Sequence, residues 1–356
     1  MISLYVGSTS GYSGKSLVSM GIGIKMKRDG LRVGYFKPVG ILPIKVENIL
    51  TDKDAWFIYR VFELKDHIAE VCPVVLTQEL TMKAYLQDVK GLMKKIEKSF
   101  KQLSRDKDIM IVGGSGSIYS WSVMNISGLK VIKRLNSKSL IVVKYEGEFC
   151  VDYILQAKKD LGNNFLGVIF NKVTHDFRQS VDDYIVPFLK RKGIEVIGIL
   201  PHDPLVGSVT VEELNEMLGG KVLCCHDRVN NLIERFLIGA MQVDRATEYF
   251  KMTKNNAVIV GGDRADIQLS AIESGTECLV LTGELYPSEL IISRAEQKNI
   301  PIIVVRDDTY TVAKKVEKLS TRLRLRDKAK VTHGTELVIN NVNFPLLYKK
   351  LGINIS

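Results

Sequence analysis

Residues Thr9-Ser10-Gly11-Tyr12-Ser13-Gly14-Lys15-Ser16 have the spacing of a phosphate-binding loop, with Thr9 in the place of the first glycine. Glycines at 11 and 14 let backbone N–H groups turn inward around phosphate oxygens, and the N-terminus of a following helix adds positive potential. A lysine at 15 bridges terminal phosphates, and the hydroxyl at 16 supplies an oxygen to magnesium. All eight residues are therefore nominated as nucleotide-binding, with Mg2+ and ATP, or another nucleoside triphosphate, as ligands. A ligand-free glycine turn is the competing reading. The flanking sequence argues against it.

Such a loop needs a strand before it and a helix after it. Residues 2–6 are a short apolar run, and 16–28 have helical character despite Gly21 and Gly23, with Asp29-Gly30 as the stop. Further strands are expected at 32–36, 109–112, 139–143, 165–170 and 195–200. Helices are expected at 54–62, 79–103, 152–161 and 179–192. Apolar strands without alternation, separated by helices, imply a parallel sheet covered on both faces. Right-handed crossovers make it doubly wound, with its site at the strand C-termini. Leu218-Gly219-Gly220 reads as a boundary, giving domains 1–220 and 221–356. The second is a smaller α/β pattern, with helices at 230–241, 265–274, 288–298 and 311–319 and strands at 257–260, 278–281 and 302–305.

Composition narrows the class. At 356 residues the chain exceeds one ordinary core. The longest apolar strings are strand-sized, so no membrane span is expected, and the start lacks a cationic, then apolar, leader. The expected location is cytoplasmic. The net charge of +10 divides as six before Gly220 and four after it, with no basic tail, which argues against nucleic acid. The five cysteines include no CxxC pair and read as reduced, mostly buried thiols. The histidines show no metal spacing. Arg322, Arg324, Arg326, Lys328 and Lys330 share one parity, and read as a solvated edge.

The loop resembles that of dethiobiotin synthetase and its cobyrinic acid a,c-diamide synthase relatives, which tolerate the missing glycine. Further matches follow in order. Tyr35-Phe36-Lys37-Pro38-Val39 resembles the second-strand motif whose lysine reaches the reacting phosphate or acyl group, so the resemblance implies a catalytic Lys37 alongside Lys15. Asp52-Lys53-Asp54-Ala55 resembles a motif whose carboxylate assists magnesium. Asp54 is preferred for that role, and helix capping competes for Asp52. Gly167–Val173 resembles the strand end whose asparagine contacts the base, which implies a nucleotide role for Asn171. One departure stands out: Gly113 occupies the place of a metal-side glutamate. The resemblance also calls for hydroxyls after Lys37, where Val39-Gly40-Ile41-Leu42 is apolar.

Residues 197–211 resemble the segment closing the synthetase-like N-terminal region of long phosphotransacetylases. Gly261-Gly262-Asp263-Arg264-Ala265-Asp266 and Leu281-Thr282-Gly283 resemble the DRTGG domain that follows it there. Asp263, Arg264 and Asp266 form a possible second site; a capped strand–helix turn, with Arg264 paired to a carboxylate, is the alternative. The resemblance leaves no residues for an acyltransferase domain. It implies an ATP-binding regulatory protein, a homodimer, partnered by an acyltransferase or another metabolic enzyme. If the chain is an enzyme, an ATP-dependent ligase activating a carboxylate or carbamate, or a slow NTPase, is implied.

Overall fold

The computed structural model describes residues 1–147, 149–320 and 328–354. The chain divides into two compact units, Met1–His202 with Leu325–Ser356, and Asp203–Arg324.

In the first unit six strands, β1 (Ile2–Ser8), β2 (Val33–Phe36), β3 (Ile109–Gly113), β4 (Lys138–Lys144), β5 (Phe165–Val173) and β6 (Val196–Pro201), form one sheet in the order β6-β5-β4-β1-β3-β2. Every pairing is parallel. Residues 109–113 of β3 are all buried, which is why these strands lack alternation. Because the chain passes from β1 to the β2 edge, then fills in β3 and crosses to β4, the strand order reverses beside β1. The carboxyl end of β1 is thus the crevice where a doubly wound sheet receives ligands.

Helix α1 (Lys15–Arg28) starts at that crevice. Its Gly21 and Gly23, poor helix formers, are explained by close packing. A β-carbon at 23 would collide with the Phe62 ring, and one at 21 with Val338. Helix α2 (Lys53–Val61) follows a hairpin of Pro43–Val46 with Ile49–Asp52. The expected single helix over 79–103 is interrupted: Gln78–Leu86 ends before Gly91, whose φ of 85° starts α3 (Leu92–Leu103). Helix α4 (Cys150–Leu161) falls close to its expected place.

In the second unit β7 (Lys221–Val222), β8 (Arg235–Ile238), β9 (Asn256–Gly261), β10 (Cys278–Thr282) and β11 (Ile302–Val304) form a sheet of order β7-β11-β10-β9-β8, parallel except at β7. Helices α5 (Val211–Leu218), α6 (Val243–Met252), α7 (Ala265–Glu273), α8 (Glu289–Gln297) and α9 (Thr309–Ser320) belong to it. Val258, Val260, Leu279 and Leu281 enter one core cluster, and Ala257, Ile259, Cys278 and Val280 the other, so both faces are covered.

The helix expected at 230–241 is instead two strands, Leu232–Ile233 and β8. Phe236 and Leu237 turn to opposite faces, each into a different cluster, a period of two that overrides the helix-like spacing. Residues 203–220, expected with the first domain, pack within the second unit, and the chain end returns to the first. There α10 (Lys328–Asn341) lies on α1, and α11 (Phe344–Leu351) follows. Val342 bridges Gly198, and Asn343 N–H donates to Ile197 O at 2.8 Å. The cationic run therefore does not form one edge strand: Lys328 and Lys330 start a helix, while Arg322, Arg324 and Arg326 lie outside the described residues.

Replacing Gly23 by valine must displace Phe62, and overpacking of this kind costs about 1–3 kcal/mol. Chemical denaturation should show Gly23→Val losing that much, with Gly11→Ala, whose β-carbon meets nothing within 4 Å, unchanged.

Candidate functional site

The phosphate loop leaves β1 and re-enters as α1 through Gly14, whose φ of 93° requires a residue without a β-carbon. Its backbone and its lysine are held from below. Ser8 is fully buried, and its Oγ bonds Ser10 O at 2.5 Å and Gly116 O at 3.0 Å. Lys15 Nζ donates to Ser8 Oγ at 2.8 Å. Asn171, at the end of β5, is buried and donates its amide to Ser13 O at 2.9 Å. The structure thus makes Asn171 a brace for the loop backbone. Tyr12 stands at the loop tip, partly exposed, with φ 54°. Ser13 Oγ is buried without a hydrogen-bond partner.

A second group of side chains lies beside Ser16. Its Oγ is 3.4 Å from Asp54 Oδ2, and that same oxygen accepts from Lys37 Nζ at 3.1 Å. Lys37 also donates to Asp52 Oδ1 at 2.6 Å. Asp52 is wholly buried and saturated: Oδ1 accepts from the N–H groups of Asp54 and Ala55, and Oδ2 from those of Ile41 and Leu42 at 2.8 Å each. It caps α2, as its alternative reading had it, and at the same time fixes Lys37. Sequence reasoning missed this clamp. The Lys37/Asp52 pairing crosses 15 residues, through a hairpin it did not foresee.

The electrostatics follow from that packing. Burial works against the charge on Lys37, but Asp54 and then Asp52 outweigh it and hold the ammonium above the ordinary lysine range. Lys15 is pushed the other way, to about 8, by burial and by the neighbouring Lys37 charge, against the pull of Asp54. Burial raises the Tyr35 phenol, with Lys37 opposing, so it stays neutral.

Tyr35 explains Gly113. A β-carbon at 113 would collide with the Tyr35 hydroxyl, so the phenol fills the space that any side chain at 113 would enter. The nearby serines are committed: Ser115 Oγ donates to Val39 O, and Ser117 Oγ accepts from Tyr119 N at 3.2 Å.

The residues present suit Mg2+ bound together with phosphate. Ser16 and Asp54 offer two hard oxygens, and the buried Ser13 Oγ adds a polar atom without a partner at the loop. Among the described residues no group of three or more His, Cys, Asp or Glu side chains is arranged to hold a metal by itself. Magnesium commonly completes its octahedron with phosphate oxygens and water.

In the second unit Gly261-Gly262 turns the end of β9 into α7. Arg264 pairs bidentately with Asp266, Nε to Oδ1 at 3.0 Å and Nη2 to Oδ2 at 2.9 Å, both groups exposed. Gln268 is buried and donates to Gly261 O and Gly262 O, tying helix to turn. Asp308 caps α9 through Tyr310 N and Thr311 N.

A parallel doubly wound sheet with Gly14-Lys15-Ser16 opening the helix after its central strand defines a P-loop type α/β protein. The chain belongs to the AAA domain family whose profile matches residues 3–210, and a DRTGG domain follows at 213–319. It is 22% identical to a phosphate acetyltransferase of Synechocystis over 351 residues, 94% of this chain and 50% of that protein. A phosphate acetyltransferase of Pseudomonas putida is 24% identical over 373 residues, 99% and 52% of the two chains. An ATP-dependent dethiobiotin synthetase of Clostridium perfringens is 26% identical over 226 residues, 61% of this chain and 98% of that one. The chain spans about half the length of the phosphate acetyltransferases it matches.

Removing Asp52 orphans four backbone N–H groups and strips a buried lysine of its tightest partner. Breaking such a pair costs about 3–5 kcal/mol. Asp52→Ala should lose stability on that scale in urea unfolding, whereas Asp54→Asn, partly exposed and singly bonded to Lys37, should lose far less.

Proposed function

We propose that the first unit binds a magnesium–nucleoside triphosphate, with ATP the expected ligand, and that the chain works as a nucleotide-responsive regulator. The observation that carries this reading is the grouping of Lys15, Ser16 and Asp54 at the N-terminus of α1, on the central strand's carboxyl end. Backbone N–H groups of residues 11–16 would hold the phosphates, and Lys15 would leave Ser8 for the terminal ones. Ser16 would ligate the magnesium directly, with Asp54 behind it. Magnesium bound there would supply charge neutralisation for the phosphates.

Regulation is favoured over synthesis by two features. Tyr35 stands where the synthetase resemblance calls for a metal-side carboxylate, and Lys37 is pinned by Asp52 rather than directed toward a substrate. In this reading, nucleotide occupancy shifts the population of loop conformers, and the DRTGG unit passes the signal on. Its Asp263, Arg264 and Asp266 are the proposed second site. A cytoplasmic homodimer, partnered by an acyltransferase or another metabolic enzyme, completes the proposal. It draws on the similarity to half of the phosphate acetyltransferases.

A ligase reading keeps one specific support: Lys37 lies 3.1 Å from the metal-side carboxylate, next to the phosphate loop. Steady ADP release stimulated by a carboxylate or diamine, and abolished by Lys37→Ala, would decide for it.

Calorimetry with ATP and GTP tests the main reading. ATP should bind at micromolar to millimolar concentration, and Lys15→Ala should weaken it by at least tenfold. Gly11→Ala should weaken it with no loss of stability. Absence of binding at millimolar nucleotide, or indifference to Lys15→Ala, refutes the proposal.

The pH dependence has a definite sign. A Lys15 near 8 is charged below that value and increasingly neutral above it, and phosphate binding favours the charged form. Affinity should be flat below about pH 7.5 and fall by up to about tenfold per unit above pH 8, with proton uptake on binding. The same depressed value means the folded chain holds fewer protons than the unfolded one between pH 8 and the ordinary lysine range. This group alone therefore makes stability rise with pH across that window.

A further inference from the structure

We infer that Lys37 makes divalent-cation loading conditional on the nucleotide: its ammonium occupies the metal-side carboxylate until phosphates bring compensating charge. The inference rests on the nucleotide reading above and deepens it.

The geometry points to competition at one atom. Asp54 Oδ2 lies 3.4 Å from the Ser16 hydroxyl, and it is also the oxygen bonded to Lys37, at 3.1 Å. A cation ligated by Ser16 and leaning on Asp54 therefore meets an ammonium within hydrogen-bond reach of the same oxygen. Lys37 has nowhere else to go. It is 3% exposed, and its second bond, 2.6 Å to Asp52, is to a carboxylate immobilised by four backbone N–H groups. Asp52 thus sets where the competing charge stands.

The charge balance works in the same direction. Lys15 and Lys37 offset Asp52 and Asp54, so the cluster has no net negative charge to draw in a dication. The position that would add another carboxylate is Gly113, and the space beyond it is filled by the neutral phenol of Tyr35. Triphosphate contributes several negative charges at the loop, and only then does the total favour a dication beside a fixed ammonium. Asp54, partly exposed at 30%, is the member free to turn from Lys37 toward the metal.

Mn2+ is a suitable probe, read by electron paramagnetic resonance on the full chain stripped of nucleotide. The parent should bind Mn2+ weakly, with Lys37→Met and Lys37→Gln binding it at least tenfold more tightly, and the gain should vanish when Asp54→Asn is added. Lys37 variants that melt like the parent yet gain nothing overturn the inference, as does a gain that survives Asp54→Asn. Because losing Lys37 could impair folding, Asp54→Asn alone gives a second test. It should leave Mn2+ binding unchanged without nucleotide and weaken it with ATP present; equal weakening in both conditions overturns the inference. Binding of a fluorescent ATP analogue in the presence of Mg2+ is measured separately. Its failure would remove the nucleotide reading, while the nucleotide-free Mn2+ series judges Lys37 by itself.

Discussion

The buried pair of Lys37 and Asp52 is the constraint around which the first unit is arranged. A lysine 3% exposed is tolerable only with full compensation, and a wholly buried aspartate only with every lone pair engaged. Both conditions are met by backbone that has to be brought together for the purpose. Ile41 and Leu42 arrive from the exit of β2, Asp54 and Ala55 from the first turn of α2, and the hairpin of 43–52 closes the distance between them. Local hydrogen bonding at Asp52 therefore locks the register of a hairpin, the start of a helix and the position of a charge beside the phosphate loop.

The loop itself is set by a different means, close packing. Ser8 and Asn171 hold its backbone from the ends of β1 and β5, two strands of one parallel sheet, and the carbonyl of Gly116, beyond β3, anchors Ser8. Its outgoing helix is pressed against Phe62 and Val338 at glycines that leave no room for a methyl group. Gly21 and Gly23 give up helix propensity, on the order of 1 kcal/mol each against alanine. In exchange α10 lies close on α1, and Val342 and Asn343 continue along the outer edge strand, β6. The chain end is part of the architecture that aims α1.

Legibility in the sequence tracked how local each signal was. The strand–loop–helix at 2–28 needs only neighbours in sequence, and it was readable. So were the buried strands, whose apolar runs have no competing interpretation at that length. The helix expected at 230–241 failed because Leu232, Ile233, Phe236 and Leu237 satisfy helical spacing equally well. What decides for strand is the neighbouring β9, which Arg235–Ile238 pairs with residue for residue. The helices of 328–351 were not anticipated, since they pack on α1 and on β6, both far away in sequence. For the site, Lys15, Ser16, Lys37 and Asp54 were legible as a set. That Asp52 clamps Lys37 was not, because its two readings were a magnesium-side carboxylate and a helix cap, and its role as counter-ion depends on the hairpin that brings it to Lys37.

Gly113 shows how an apparent loss becomes intelligible once the fold is known. In sequence it is a missing carboxylate. In the structure it is one half of an exchange whose other half is Tyr35: the strands β2 and β3 are adjacent, Tyr35 faces Ile111 in register, and its phenol reaches over the backbone at 113. Reintroducing an acidic side chain there would require the tyrosine to leave. Two neighbouring strands are therefore committed together to a neutral, filled corner beside the lysine. An aromatic hydroxyl held neutral by burial donates or accepts a hydrogen bond but brings no charge to a metal or a leaving group. Of the two carboxylates beside Lys37, Asp52 is fully committed to that lysine and to four backbone N–H groups. Asp54, the other, is partly exposed beside the loop and carries no such set of backbone bonds.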